Sequence, residues 1–262
     1  MAATSLLLLL ITLLPAPGLT AYQDSGIVNG AEARRHSKPY MVSVQAKKSH
    51  ICGGFLVSES FVMTAAHCYN WAVNLTVVVG AHDITRQESS SYRIDVKFYH
   101  IHPGYNAKTL ENDIMLLQLV KTTPKSKAVQ QIPLPKKDQD IKAKYLCTVA
   151  GWGATETGGT ANPRLLEVNV TVVDRSSCQR SWGNTATITQ SLICAGGTAA
   201  DYKGVCQEIA PKDEPDSWRS WLISFDFPMM SSKEALSLKQ RSPSNLTELE
   251  RICREEWEKL PK

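Results

Sequence analysis

Residues 52–68 read CGGFLVSESFVMTAAHC. Inside that stretch Phe55–Met63 is an apolar run with aromatic and β-branched residues, of the kind that forms a strand. Runs of the same character recur on both sides: Met41–Val44, Leu75–Val79, Tyr92–Tyr99, Ile114–Val120, Tyr145–Ala150 and Leu165–Val173. Clusters of Gly, Pro, Asn and Ser separate them, and no stretch between Ile27 and Val173 sustains a 3.6-residue apolar period. The pattern predicts an all-β sandwich or barrel rather than an α/β fold. Lys121–Lys144 departs from it. This segment is rich in lysine, contains Pro124, Pro133 and Pro135, and reads as a connector between two β units.

The chain has 262 residues, 43% hydrophobic and 21% charged, which excludes disorder as the default state. A net charge of +4 is too small to mark a nucleic-acid binder. The charge is unevenly spread. Residues 1–207 carry 20 Lys/Arg against 14 Asp/Glu, whereas residues 208–262 carry 9 against 11. The last fifth is thus a different kind of sequence. Glu208–Ser217 is polar and broken by proline, and Trp218–Phe227 alternates as a strand would at Trp221, Ile223, Phe225 and Phe227. Leu246, Leu249, Cys253, Trp257 and Leu260 then fall on one face of a helix, with Asn245 and Glu248 placed as a capping box.

At the other end, Leu6–Leu14 is an apolar run interrupted only by Thr12. It is well short of the roughly 20 residues that span a bilayer. Pro15, Pro17, Gly18 and small residues up to Ala21 follow, so residues 1–21 read as a secretory signal peptide. No later run has membrane length, and the expected setting is secreted, extracellular or granular, with oxidising conditions. Of the seven cysteines, Cys52, Cys68, Cys147, Cys178, Cys194, Cys206 and Cys253, none stands in a zinc-ligand spacing. No metal or cofactor is expected. The His100-x-His102 pair reads as strand residues presented to solvent.

Three short signatures in one order carry chemistry. Ile27-Val28-Asn29-Gly30 follows a stretch, residues 22–26, that cleavage after Gly26 would remove. Thr64-Ala65-Ala66-His67-Cys68 sets a histidine beside a cysteine, and Asn112-Asp113-Ile114-Met115-Leu116-Leu117 sets a carboxylate at the mouth of an apolar strand. Gly151-Trp152-Gly153, His102-Pro103 with Tyr105-Asn106, and Ile193-Cys194-Ala195-Gly196 extend the pattern. Together they resemble the trypsin-like serine peptidases, in particular the granzyme and mast-cell-protease branch, over residues 27–207.

The resemblance implies two antiparallel β-barrels of the chymotrypsin type. It makes His67 the general base and Asp113 the carboxylate that orients it, within a Ser-His-Asp triad acting on protein or peptide substrates. It implies a Cys52–Cys68 bridge that staples the loop presenting His67, and a second bridge, Cys178–Cys194. Each would close a loop worth about 3 kcal/mol in the chain-entropy model. Residues 22–26 become an activation propeptide, and Ile27 the new N-terminus whose ammonium pairs with an aspartate beside the nucleophile. Gly204 takes the position at the floor of the specificity pocket, where glycine leaves room for a bulky apolar side chain.

After Gln207 the resemblance stops. The family continues Gly-Asp-Ser-Gly-Gly-Pro, and this chain continues Glu208-Ile209-Ala210-Pro211. Glu208 replaces the glycine that supplies an oxyanion-hole amide, Ile209 the aspartate that receives the Ile27 ammonium, and Ala210 the nucleophile. Gly-Asp-Ser-Gly occurs nowhere in the sequence. The later strands that wall the specificity pocket are unmatched as well, so the second barrel is expected to be incomplete and followed by an irregular tail with one amphipathic helix. In the family, the second cysteines of the bridges from Cys147 and Cys206 belong to the segment that differs in this chain. Ser244–Arg251, running on to Trp257 and Pro261, resembles instead the C-terminal end of a Tc1/mariner-type transposase.

The expected function is therefore that of a serine endopeptidase family member, inactive as written. The alternatives are a non-catalytic binding protein on the same scaffold and a non-functional splice or gene-model product. Lys121, Lys125, Lys127, Lys136, Lys137, Lys142 and Lys144 make glycosaminoglycan a candidate partner. Asn74-Leu75-Thr76 and Asn169-Val170-Thr171 are glycosylation acceptors in a secreted chain, and Asn245 also fits the motif.

Overall fold

The computed structural model describes residues 26–69, 74–133, 141–155, 159–184, 186–190, 192–196, 204–206 and 222–223. In chain order the elements are β1 (Gly26–Val28), β2 (Ala31–Glu32), β3 (Met41–Ala46), β4 (Ser49–Leu56), β5 (Phe61–Thr64), a 3-10 turn (Ala66–Cys68), β6 (Leu75–Val79), β7 (Tyr92–Ile101) and β8 (Met115–Leu119). Then come β9 (Leu146–Gly151), β10 (Leu166–Val173), α1 (Arg175–Trp182), β11 (Ile193–Gly196), β12 (Gly204–Cys206) and β13 (Leu222–Ile223).

Six strands close a barrel in the order β3-β4-β5-β8-β7-β6, so this unit has no free sheet edge. Strand alternation sorts its side chains. Val42, Val44, Leu56, Val62, Val77, Val79, Met115 and Leu117 share one core. Met41, Phe55, Met63 and Leu116 belong to a second core shared with the following strands. Strands β3, β4, β5 and β8 are thus apolar on both faces, and for that reason Phe55–Met63 reads as one uninterrupted run. The structure divides that run into two strands, with the segment 57–60 turning between them.

The second unit is a sheet in the order β13-β11-β10-β2, with β9 also paired to β10. Val168, Val170 and Val172 alternate inward along β10 and meet Val149, Leu165, Ile193 and Ala195 in the second core. Trp152 lies in the same core, 0% exposed. Its Nε1 donates to the His82 carbonyl at 3.0 Å, and its ring takes the edge of His50 at 5.8 Å. This residue therefore ties the second sheet to strand β4 and to the loop after β6 of the first barrel. Of the expected strand Trp218–Phe227, Leu222–Ile223 pair antiparallel with Ile193 and Cys194 on the outer side of β11. The rest of it, the amphipathic helix, the signal segment and residues 134–140 lie outside the described residues.

Helix α1 is not expected from the sequence. Asp174 caps it by accepting from Ser177 N–H at 2.8 Å, and Gly183 ends it at φ 53°. Hydrogen bonds from Ser176 and Ser177 hold the Asp174 carboxyl well below the usual carboxylate range. No helix among the described residues is long and apolar enough to cross a membrane.

The β3–β4 hairpin carries a titratable group with a large shift. Ser43 Oγ lies 2.8 Å from His50 Nδ1 and accepts from Gln45 Nε2 at 3.0 Å. Burial lowers the His50 pKa to about 4, and the ring is neutral at pH 7. Unfolding returns it to about 6.5. The unfolded chain therefore binds a proton first as pH falls, and stability present above pH 6.5 is lost on the way to pH 4. Relative to His50→Gln, the native chain should lose about 2 kcal/mol between pH 7.5 and pH 4.5. Urea midpoints at the two pH values would show it, and parallel pH profiles for the two proteins would refute it.

Candidate active site

Strand β5 ends at Thr64, and β8 begins opposite it, in the register Thr64↔Met115. The 3-10 turn that follows β5 and the loop that precedes β8 therefore meet at one end of the barrel, which brings His67 to Asp113. Asp113 Oδ2 lies 2.5 Å from His67 Nδ1, and Oδ1 accepts from the His67 backbone N–H at 2.9 Å. Asp113 is 2% exposed, while the His67 side chain keeps 13%. Both oxygens of the buried carboxylate are satisfied, which offsets its loss of water. An imidazole held this way at Nδ1 has its orientation and tautomer fixed, and its Nε2 edge is the one suited to take a proton.

Local structure enforces the pairing on both sides. Thr64 Oγ1 donates to the Gly53 carbonyl at 2.7 Å, tying the end of β5 to β4 just before the turn. Cys52 and Cys68 are joined across the same place, with Cα atoms 6.3 Å apart. The His67 ring rests on that bridge, its Nε2 3.7 Å from Cys68 Sγ. On the Asp113 side, Leu110 and Asn112 both take positive φ, 56° and 53°. Asn112 Nδ2 donates to the Gly104 carbonyl at 3.0 Å, and Ile114 N–H donates to the Asn112 carbonyl at 2.8 Å. Two left-handed residues within four positions of each other are uncommon outside glycine and mark backbone bent to aim the carboxylate. Thr64 and Asn112 stand inside the two sequence signatures, which do not themselves reveal this role, and Leu110 lies outside them.

Cys52, His67 and Cys68 also form a compact cluster of metal-ligand types. Its two sulfurs are spent on the disulfide, so the cluster offers no thiolate to a metal. His100 and His102 are half-buried rather than presented to solvent, which corrects the expectation from the His-x-His spacing. His100 packs near the rings of Phe61 and Phe98, and His102, past the end of β7, accepts at Nδ1 from Gly104 N–H at 3.1 Å.

Ile27 lies in the second core at 3% exposure, with its N–H donating to the Ala154 carbonyl at 2.6 Å. Strands β1 and β12 pair as Gly26↔Cys206, Ile27↔Val205 and Val28↔Gly204, so Gly204 sits across from the Ile27 segment. Gly30 must be glycine, because a Cβ there would come within 2.5 Å of Ile27 Cγ2 and 2.9 Å of the Glu167 carbonyl. Cys178 joins α1 to β11 through Cys194, Cα to Cα 6.3 Å. Cys147 is buried in β9, and Asn74 and Asn169 are exposed. Residues 208–210, where the nucleophile segment would stand, lie outside the described residues.

The trypsin family profile matches residues 27–207. The chain is 40% identical over 219 residues to granzyme-like protein 1 of Rattus norvegicus, covering 79% of this chain and 86% of that protein. Among solved structures it is similar to that of GrC, at TM-score 0.60 and 37% identity over 66% of this chain and 76% of the other. A mutant of human heparin binding protein follows at TM-score 0.57 and 34% identity, covering 65% and 71%. With a closed barrel that sets a histidine on a buried aspartate, and with a family match over most of its length, the chain belongs to the trypsin-like serine peptidases.

Proposed function

We propose that this protein keeps the base and the orienting carboxylate of its family without the nucleophile and does not hydrolyse peptides. The observation that carries the reading is the coexistence of an intact His67–Asp113 pair with Glu208-Ile209-Ala210 where Gly-Asp-Ser would stand. Loss of a triad member costs orders of magnitude in rate, and in this chain an oxyanion-hole amide is lost with it. In this reading residues 1–21 direct secretion to the cell exterior or a granule, 22–26 are a propeptide, 27–207 the peptidase domain and 208–262 an unrelated tail. The family profile, which stops at residue 207, supports that last boundary. Asn74 and Asn169, both exposed, are the proposed glycan acceptors.

The test is hydrolysis of a panel of peptide amides with aromatic, basic, acidic and small residues before the scissile bond. The full secreted chain should match its His67→Ala variant at the buffer rate. Turnover that His67→Ala abolishes would overturn the proposal.

A second reading has its own support. The heparin binding protein among the similar structures, and the lysine-rich stretch between Lys121 and Lys144, favour a non-catalytic role in binding sulfated polysaccharide. Retention on heparin beyond about 0.3 M salt supports this reading, and elution near physiological ionic strength contradicts it.

A further inference from the structure

A cleft of about 810 Å³ opens between the β3–β4 hairpin, the loop 84–93 and the segment 159–163. Its charged lining residues are Lys48, Arg86 and Arg93, with no carboxylate among them. Lys48 stands on the hairpin turn at φ 70° and is exposed. Arg86 and Arg93 use part of their donor sets, on Asp83 at 3.3 Å and on Thr76 Oγ1 at 2.8 Å, and each guanidinium has five N–H groups to give.

Beneath them lies Gln45, buried, whose Nε2 is used on Ser43 and whose Oε1 has no hydrogen-bond partner among the described residues. A buried acceptor in that state calls for a donor. The cleft thus asks for a ligand with anions on its outer side and a hydroxyl or N–H group on its inner side.

We infer that this cleft is the chain's site for a sulfated polysaccharide, with Lys48, Arg86 and Arg93 on the sulfates and Gln45 Oε1 accepting from a sugar hydroxyl. The inference rests on the polysaccharide-binding reading above and moves its site away from the lysine-rich connector. There, a smaller concavity of about 520 Å³ is lined by Lys125 and Lys127 together with Glu59, which pairs with Lys125. Glu59 stands among that concavity's own lining residues, whereas Asp83, the carboxylate that Arg86 meets, lies outside the lining of the cleft. An acidic peptide is less suited to the cleft, because peptide docking relies on aromatic anchors and no Trp, Tyr or Phe lines it.

The experiment compares salt-gradient elution from heparin for the full chain, for K48A/R86A/R93A and for K121A/K125A/K127A. The cleft variant should elute near physiological salt, with the slope of log affinity against log salt lower by about 3, and the connector variant should elute with the native chain. Loss of retention in the connector variant alone would overturn the cleft as the site and leave polysaccharide binding standing. A native chain that is not retained would overturn the polysaccharide reading itself. Displacement by polyglutamate as readily as by free heparin, at equal charge, would overturn the choice of a sulfated sugar.

Discussion

Replacing Trp152 by alanine is expected to lower stability by about 3–5 kcal/mol, enough to unfold a domain of ordinary stability. The residue has no exposed surface and lies in the core that joins the second sheet to the outer face of the barrel. Its removal leaves a cavity among side chains of both units and also leaves the His82 carbonyl without the indole N–H at 3.0 Å. Trp152→Phe keeps most of the volume and loses only that bond, so it should cost about 1 kcal/mol. Urea denaturation of the two variants separates the contributions. A loss below about 1 kcal/mol in the alanine variant would mean that the two units are not held together through this core.

Cleavage after Gly26 is expected to destabilise the chain. In the family, the freed ammonium of the matching residue is received by an aspartate, and in this chain Ile209 holds that position. In the structure the Ile27 nitrogen is a buried peptide N–H with the Ala154 carbonyl as acceptor at 2.6 Å. Cutting the bond turns it into an amine in the same buried place and removes Gly26 from its pairing with Cys206. A buried ammonium lacking a carboxylate costs several kcal/mol, and burial lowers its pKa from about 8. The penalty is therefore present below about pH 8 and relieved above it. An engineered protease site ending at residue 26 allows the cut and uncut chains to be melted at pH 6 and pH 9. The cut chain should melt lower, by a wider margin at pH 6. A melting point raised by cleavage would mean that a carboxylate from elsewhere in the chain reaches Ile27.

How much of this is legible in the sequence varies with the physics of each element. Val168, Val170 and Val172 alternate because β10 has one buried face, and the strand reads directly. Strands β4 and β5 are buried on both faces, so Phe55–Met63 shows no period and no glycine or proline marks the turn. Helix α1 leaves little trace because its eight residues bury only Cys178 and Trp182, although Asp174 and Gly183 flank it as caps. Strands β1 and β12 are three residues each, and their pairing lies between segments nearly two hundred residues apart. The His67–Asp113 pair follows from family resemblance alone, since the register that joins the two residues is a property of the closed barrel. Gln45 and Lys48 lie on one segment and Arg86 and Arg93 on another, and only folding gathers them around one cleft.

The most direct test of a dyad without a nucleophile is a fluorophosphonate, which alkylphosphonylates a serine activated by a neighbouring histidine. Intact-mass measurement of the secreted full-length chain after treatment should show no adduct, and the His67→Ala variant should look the same. A stoichiometric adduct on the native chain that is lost in His67→Ala would show that a serine elsewhere in the sequence has taken up the missing role, which contradicts a dyad without a nucleophile.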